Sequence, residues 1–342
     1  MKKLLNTLYI TTPDVYLSLD GENVVVTKDN QEQGRMPLHN IQAILCFNYT
    51  GASSYLMNAC AKKGIELAFF KPSGRFLART QGEVTGNVLL RKKQYATSAE
   101  PYCLPIARNI TLAKLHNSRY VLEKAVREQS LRIDVEALKA KSSLIKTTME
   151  QAKESADLDE LRGFEGVAAK AYFSVFDHLL INQKEDFCFD TRSRRPPLDN
   201  VNALLSFMYS IYTYEIASAL EGVGLDPYVG FIHRDRPGRV SLALDLLEEL
   251  RAVVIDRFVI ALINRKEVSG AGFTTAENGA VVMSDTTRKT VLQAWQKRKQ
   301  EELTHPYLKE KIQWGLVPHA QALLLARYLR GDLDGYAPFL WK

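Results

Sequence analysis

Arg91-Lys92-Lys93-Gln94-Tyr95-Ala96-Thr97-Ser98-Ala99-Glu100-Pro101-Tyr102-Cys103-Leu104-Pro105 is the stretch on which the fold turns. Upstream of it the chain reads as strands. Val15 to Leu19, then Asp20-Gly21, then Val24 to Val26 is a hairpin pattern, because Asp-Gly supplies the positive φ of a tight turn. Ile41 to Phe47, Ile65 to Phe70 and Arg75 to Thr80 are further strand-like runs, the last two joined at Pro72-Ser73-Gly74. One short helix intervenes, capped by Ser53 or Ser54, reaching Lys63 and closed by Gly64. Downstream, from Arg108 onward, apolar residues recur at helical spacing and strand patterns nearly vanish. Phe273 to Ser284, with Asn278-Gly279, is the exception and reads as a hairpin set between helices. The expected fold class is therefore α+β: a small β-rich domain over 1–96, a linker over 97–106 marked by Pro101 and Pro105, and a large helical domain over 107–342.

Composition agrees with this division. At ~150 residues per domain, 342 residues make about two domains. A hydrophobic share of 46% with 25% charged residues excludes a disordered or low-complexity chain. The 45 basic and 39 acidic residues leave a net +6, which permits a polyanionic partner without establishing one. Twelve basic and eight acidic residues fall in the first 100, so +4 of the excess lies there and the helical part is nearly balanced. Cys46, Cys60, Cys103 and Cys188 form no CxxC pair and sit among apolar neighbours, which reads as buried free thiols in a reducing compartment and argues against zinc. The start, Met1 to Leu5, is basic like a signal peptide but is followed by Thr11-Thr12-Pro13-Asp14 instead of an apolar region. Ala203 to Leu220 is apolar but interrupted by Glu215, so no membrane span is expected and the location is cytoplasmic.

Three places carry candidate chemistry. In Leu161-Arg162-Gly163-Phe164-Glu165-Gly166, two glycines flank a glutamate inside a helical pattern. Each glycine costs a helix ~1 kcal/mol relative to alanine, so either another backbone or a ligand approaches closely, or Gly163 ends one helix and Glu165 opens the next. In Gly224 to Arg239, His233 lies in a loop with Arg234, Arg236 and Arg239, a density that suits phosphate contacts. From Ser241 to Asn264, a helix with an apolar stripe carries Asp245, Glu248, Glu249 and Asp256, whose bland reading is a solvated acidic face. Asp245 and Glu248 are i,i+3 neighbours and can face one point. Two carboxylates and one imidazole on separate elements suit Mn²⁺ or Mg²⁺ better than a closed zinc site.

At these residues the chain resembles the CRISPR-associated adaptation nuclease-integrase, the universal member of the spacer-acquisition machinery. The resemblance rests on Leu-Arg-Gly-x-Glu-Gly-x-Ala-Ala at 161–169, Gly-Leu-Asp-Pro-Tyr-x-Gly-Phe-x-His at 224–233 and Arg239-x-Ser-Leu-Ala-Leu-Asp-Leu-x-Glu ending at Glu248. It extends to Arg194-Arg195-Pro196-Pro197 and to Gln321 to Arg327, and its details are most similar to the branch serving type I subtype C systems. It implies metal ligands at Glu165, His233 and Glu248, with Asp245 as a neighbouring acid that supports or supplements them. It implies a metal-dependent DNA endonuclease and integrase that inserts captured fragments into the CRISPR array by 3′-hydroxyl attack. Its implied partners are double-stranded DNA, a second copy joined through the β-rich domain, and a small ferredoxin-like CRISPR-associated protein bracketed by two such dimers. Arg192, Arg194, Arg195, Arg234, Arg236 and Arg239 are the candidate phosphate contacts. Open alternatives are a catalytically idle DNA-binding scaffold, a branched-DNA nuclease in repair and, without the resemblance, a helical metal enzyme acting on small phosphorylated substrates.

Overall fold

The computed structural model describes residues 6–47, 51–83 and 87–342; the basic start Met1 to Leu5 lies outside them. Two compact units divide the chain. The first takes the described part of Met1–Gly86 together with Met283–Glu302 and Gln313–Leu316, and the second takes the remainder.

The first unit holds eight described strands: β1 (Thr7–Ile10), β2 (Tyr16–Asp20), β3 (Asn23–Lys28), β4 (Gln31–Pro37), β5 (Ala43–Cys46), β6 (Gly51–Ala52), β7 (Glu66–Phe70) and β8 (Phe76–Arg79). They form two four-stranded sheets, ordered β1-β5-β7-β8 and β4-β3-β2-β6. The Asp20-Gly21 turn joins β2 to β3 with Gly21 at φ 56°, and Leu17 pairs with Val26. Helix α1 (Ser54–Lys63) starts at Ser53, whose hydroxyl accepts from Leu56 N, and ends at Gly64 in the left-handed region. Leu17, Val24, Leu38, Ile44, Leu56, Cys60 and Leu67 bury themselves in one core. The sequence pattern did not announce the last part of this unit: the helix Asp285–Gln300 returns to it. Buried Arg288 donates to the Pro72 carbonyl at 3.0 Å, and Lys299 Nζ donates to Thr7 Oγ1 at 3.0 Å.

The second unit contains α2 (Val88–Ser98), α3 (Leu104–Gln129), α4 (Val135–Lys153), α5 (Leu158–Phe173), α6 (Asn200–Gly222), α7 (Ser241–Arg251) and α8 (Arg257–Asn264), followed by the helix Val317–Arg330. Asp134, Asp157 and Asp199 cap α4, α5 and α6 through their carboxylates. The expected hairpin forms as Phe273–Thr275 paired with Val281–Met283, with Gly279 at φ 77° in its turn. A π-helical turn, Ala252–Asp256, joins α7 to α8.

Several expectations need correction. The expected 97–106 linker shortens to a turn over 99–103: Thr97 and Ser98 end α2, and Leu104 opens α3 with Pro105 in its first turn, where the missing N–H costs nothing. Residues 88–96 belong with the helical unit and not with the strands: Gln94 of α2 is fully buried and clamps the 226–229 loop, donating to the carbonyls of Asp226 (2.7 Å) and Val229 (2.9 Å). Helix α5 runs unbroken through Gly163 and Gly166, so neither ends it. A Cβ at either glycine would meet nothing within 4 Å, so no protein backbone crowds them. The acidic residues expected on the Ser241–Asn264 helix are not a solvated face: Asp245 and Glu249 on α7 and Asp256 in the π-helical turn are fully buried. Cys46, Cys60 and Cys103 are buried as expected, but Cys188 is exposed. Among the described residues no helix is long and apolar enough to cross a membrane.

Candidate metal centre

Helix α5 carries Glu165, the loop after α6 carries His233, and α7 carries Glu248. All three line a cleft of about 400 Å³ within the helical unit, with Lys114 and Thr111 of α3 on its wall. Arg162, Arg234, Arg236 and Arg239 also line it. Arg234 and Arg236 are exposed, so the rim is basic and open to solvent. Arg194 and Arg195 are exposed but lie outside this cleft, whereas Arg192 is committed elsewhere. Its guanidinium donates to Asn202 Oδ1 (2.6 Å) and Ser206 Oγ (3.0 Å) and lies over the Tyr209 ring. That removes Arg192 from the candidate phosphate contacts.

His233 is held by Asp245. One carboxylate oxygen of Asp245 accepts from the backbone N–H groups of Phe231 (2.6 Å) and Ile232 (3.0 Å). The other accepts from His233 N (3.1 Å) and meets His233 Nδ1 at 2.6 Å. Four bonds use the acceptor sites of a carboxylate, so Asp245 has none left to offer an ion. Its imidazole bond places the Nδ1 proton toward Asp245 and leaves the Nε2 lone pair for the cleft. Gly230 makes the arrangement possible, because a Cβ there would stand 2.7 Å from Asp245 Oδ2 and 3.0 Å from Ser241. Arg162 fixes the same loop from α5, donating twice to the Ile232 carbonyl (3.0 and 2.5 Å). Arg162 and Gln94 act on the loop across about 70 and 135 residues of sequence; the only hint of Arg162 was its place in the 161–166 run.

Glu248 is paired twice. Arg251, one turn on, reaches both its oxygens at 3.0 and 3.2 Å, while Lys114 Nζ lies 2.5 Å from Oε2. Burial alone would raise its carboxyl, but Arg251 and Lys114 outweigh burial and hold it far below the usual carboxylate range. Arg251 stacks over Tyr209, 4.5 Å from the ring centroid, and Tyr209 donates its hydroxyl to Asp256 across the π-helical turn. Lys114 also pairs with Glu165. Next along α7, Glu249 turns inward: its Oε1 accepts from Tyr336 (2.6 Å) and Gln321 (2.9 Å), and burial pushes its carboxyl up to about 7.

As placed, among the described residues no three His, Cys, Asp or Glu side chains close around one point. The donor set nevertheless suits a hard divalent cation in kind: two carboxylates and an imidazole sharing one cleft. A further sign of a ligand is the buried Thr111 hydroxyl on the same wall, which has no hydrogen-bond partner.

Within the helical unit, one cleft thus brings two glutamates and a histidine together beneath a basic rim. The chain belongs to the CRISPR associated protein Cas1 family, which it matches over residues 8–297. A CRISPR-associated endonuclease Cas1 from Chlorobaculum tepidum is 48% identical over 344 residues, covering all of both chains. A CAS1 protein from Thermotoga maritima has a similar structure, with a TM-score of 0.82 at 21% identity over 97% of this chain and 99% of that one. A casposase bound to its integration product gives 0.82 at 22% identity (96% and 91%), and a Cas6-RT-Cas1–Cas2 complex gives 0.81 at 21% (98% and 36%). These similar structures share the fold.

Proposed function

We propose that the protein is a divalent-metal-dependent DNA endonuclease and integrase of CRISPR adaptation, working in the cytoplasm. The observation that carries this reading is the meeting of Glu165, His233 and Glu248, from three separate elements, in one cleft rimmed by exposed arginines. Family membership and the Chlorobaculum relative, named an endonuclease, support the activity. The casposase, named with its integration product, supports the transfer reaction.

Glu165, His233 and Glu248 would hold Mn²⁺ or Mg²⁺, which when bound polarises the scissile phosphate and lowers the pKa of the attacking oxygen. His233 contributes Nε2 as a neutral donor because Asp245 fixes the proton on Nδ1. Asp245 therefore supports the site instead of joining it. Arg251 keeps Glu248 ionised and aimed. Arg234, Arg236 and Arg239 place the phosphodiester, and Arg194 and Arg195 contact DNA further along. In integration, the 3′-oxygen of a captured fragment attacks phosphorus at the repeat boundary. A new phosphodiester forms there, and the repeat strand's own 3′-oxygen leaves with a proton. Water attacking the same phosphorus gives cleavage. An open basic rim suits a duplex better than a small phosphorylated substrate.

The β-rich unit would join two copies, and two dimers would bracket a small ferredoxin-like partner; the Cas1–Cas2 complex among the similar structures supports such an assembly. We place the chain in the type I subtype C branch on the motif details quoted above.

Single replacement of Glu165, His233 and Glu248 by alanine tests the reading, assayed by Mn²⁺-dependent cleavage of branched DNA. Activity should disappear while DNA affinity survives and falls steeply with salt. Full activity in all three variants would end the metal reading, and salt-insensitive binding would end the electrostatic one.

A further inference from the structure

Two of the three proposed ligands are joined by a cation that belongs to the protein. Lys114 Nζ pairs with Glu165 and lies 2.5 Å from Glu248 Oε2, and its side chain is buried against α5 and α7. The helix that carries it is fixed. Asn117, one turn on, donates to the carbonyls of Glu249 (2.6 Å) and Phe339 (2.7 Å) and accepts from Trp341 N (2.9 Å). Glu248 is fixed from its other side by Arg251. What can move is the four-carbon stem of the lysine, a flexible carrier for a point charge.

We infer that Lys114 is a built-in counter-ion: it occupies the position between Glu165 and Glu248 in the metal-free protein and gives way when a divalent cation enters. This inference rests on the metal reading above. Two carboxylates facing one another in a partly buried cleft repel unless a positive charge stands between them. The ammonium supplies that charge and keeps the two ligands near each other before metal arrives. The same contact opposes the incoming ion, since an ammonium and a divalent cation cannot both occupy the space between these oxygens. Lys114 thereby sets how much free metal the site needs.

The test is Mn²⁺ binding to the full chain, followed by electron paramagnetic resonance of the free ion, for wild type, Lys114→Gln, Lys114→Arg and Glu165→Gln. Lys114→Gln removes the charge but keeps a donor, and it should bind Mn²⁺ at least tenfold more tightly. Lys114→Arg keeps the charge and should bind no more tightly than wild type. A second measurement uses the wild type alone, so it stands even if the glutamine variant fails to fold. Saturating Mn²⁺ should raise amine-directed labelling of Lys114, read by peptide mass spectrometry, at least threefold. Equal or weaker binding by Lys114→Gln, or labelling unchanged by Mn²⁺, overturns the counter-ion role while the metal reading survives. No binding by either wild type or Lys114→Gln at millimolar Mn²⁺ overturns the metal reading itself. Loss of affinity in Glu165→Gln ties the signal to this site, and its absence overturns both.

Discussion

Replacing Asp245 by asparagine isolates a single proton. The fully buried carboxylate accepts from three backbone N–H groups and from His233 Nδ1, all within 3.1 Å. Asparagine keeps one oxygen, which can still receive Phe231 and Ile232, but presents an NH₂ group to His233. Two charge-assisted bonds are lost at ~1.5–3 kcal/mol each, so the fold should lose about 3–6 kcal/mol. Facing a donor, the imidazole takes its other tautomer, with Nδ1 as acceptor and the proton on Nε2. That proton then points into the cleft where a lone pair is needed. Metal affinity should fall about 10- to 100-fold, the usual cost of losing the partner that orients a histidine ligand. Urea denaturation and Mn²⁺ calorimetry on the same preparation read the two effects separately. Unchanged Mn²⁺ affinity in a folded Asp245→Asn protein would refute the tautomer argument, and unchanged stability would refute the four-bond account.

Three further outcomes are expected. Gly163→Ala and Gly166→Ala should each stabilise α5 by up to ~1 kcal/mol, because the new methyl meets nothing and the helix gains propensity; weakened DNA binding alongside would show that DNA approaches the bare backbone beside Glu165. Stability should decline between about pH 4.5 and 7 through Glu249. The unfolded chain ionises this group near 4.5 while the buried carboxyl holds its proton to about 7, so its contribution is intact below 4.5 and is lost as pH rises through 7. The loss amounts to roughly 3 kcal/mol at the usual conversion, and Glu249→Gln should flatten the denaturation midpoint across that range relative to wild type. An aromatic disulfide reagent should label one thiol quickly in the native protein, Cys188, and all four after denaturation; burial pushes Cys46 up to about 12 and Cys60 up to about 11, and rapid labelling of either would contradict their burial.

What could be seen in the sequence was what neighbours in sequence decide. Asp20-Gly21 announced its hairpin, and Ser53 and Gly64 bracketed α1, since caps and turns depend on a few consecutive residues. The runs holding Glu165, His233 and Glu248 stood out for the same reason. Lys114, Arg162 and Gln94 did not, because each has its meaning only across 51 to 135 residues of chain. The acidic residues of the Ser241–Asn264 stretch read as a solvated face for the same reason. Asp245, Glu249 and Asp256 look solvated until the 231–233 loop, Tyr336 and Tyr209 arrive to meet them. Pro105 misled differently: a proline signals a break or a helix start, and only the structure distinguishes the two.

The helix Asp285–Gln300 that returns to the strand-rich unit imposes a timetable on biosynthesis. By the time this helix is made, about 200 residues have followed the first 86 through the ribosome, a delay of roughly 10–40 s at ~5–20 residues per second. Until then Thr7 and the Pro72 carbonyl lack the side chains of Lys299 and Arg288. Nascent strands therefore wait, incompletely covered, while the helical unit is synthesised between them and their last piece. A gene fragment ending at codon 86 would yield that waiting state permanently.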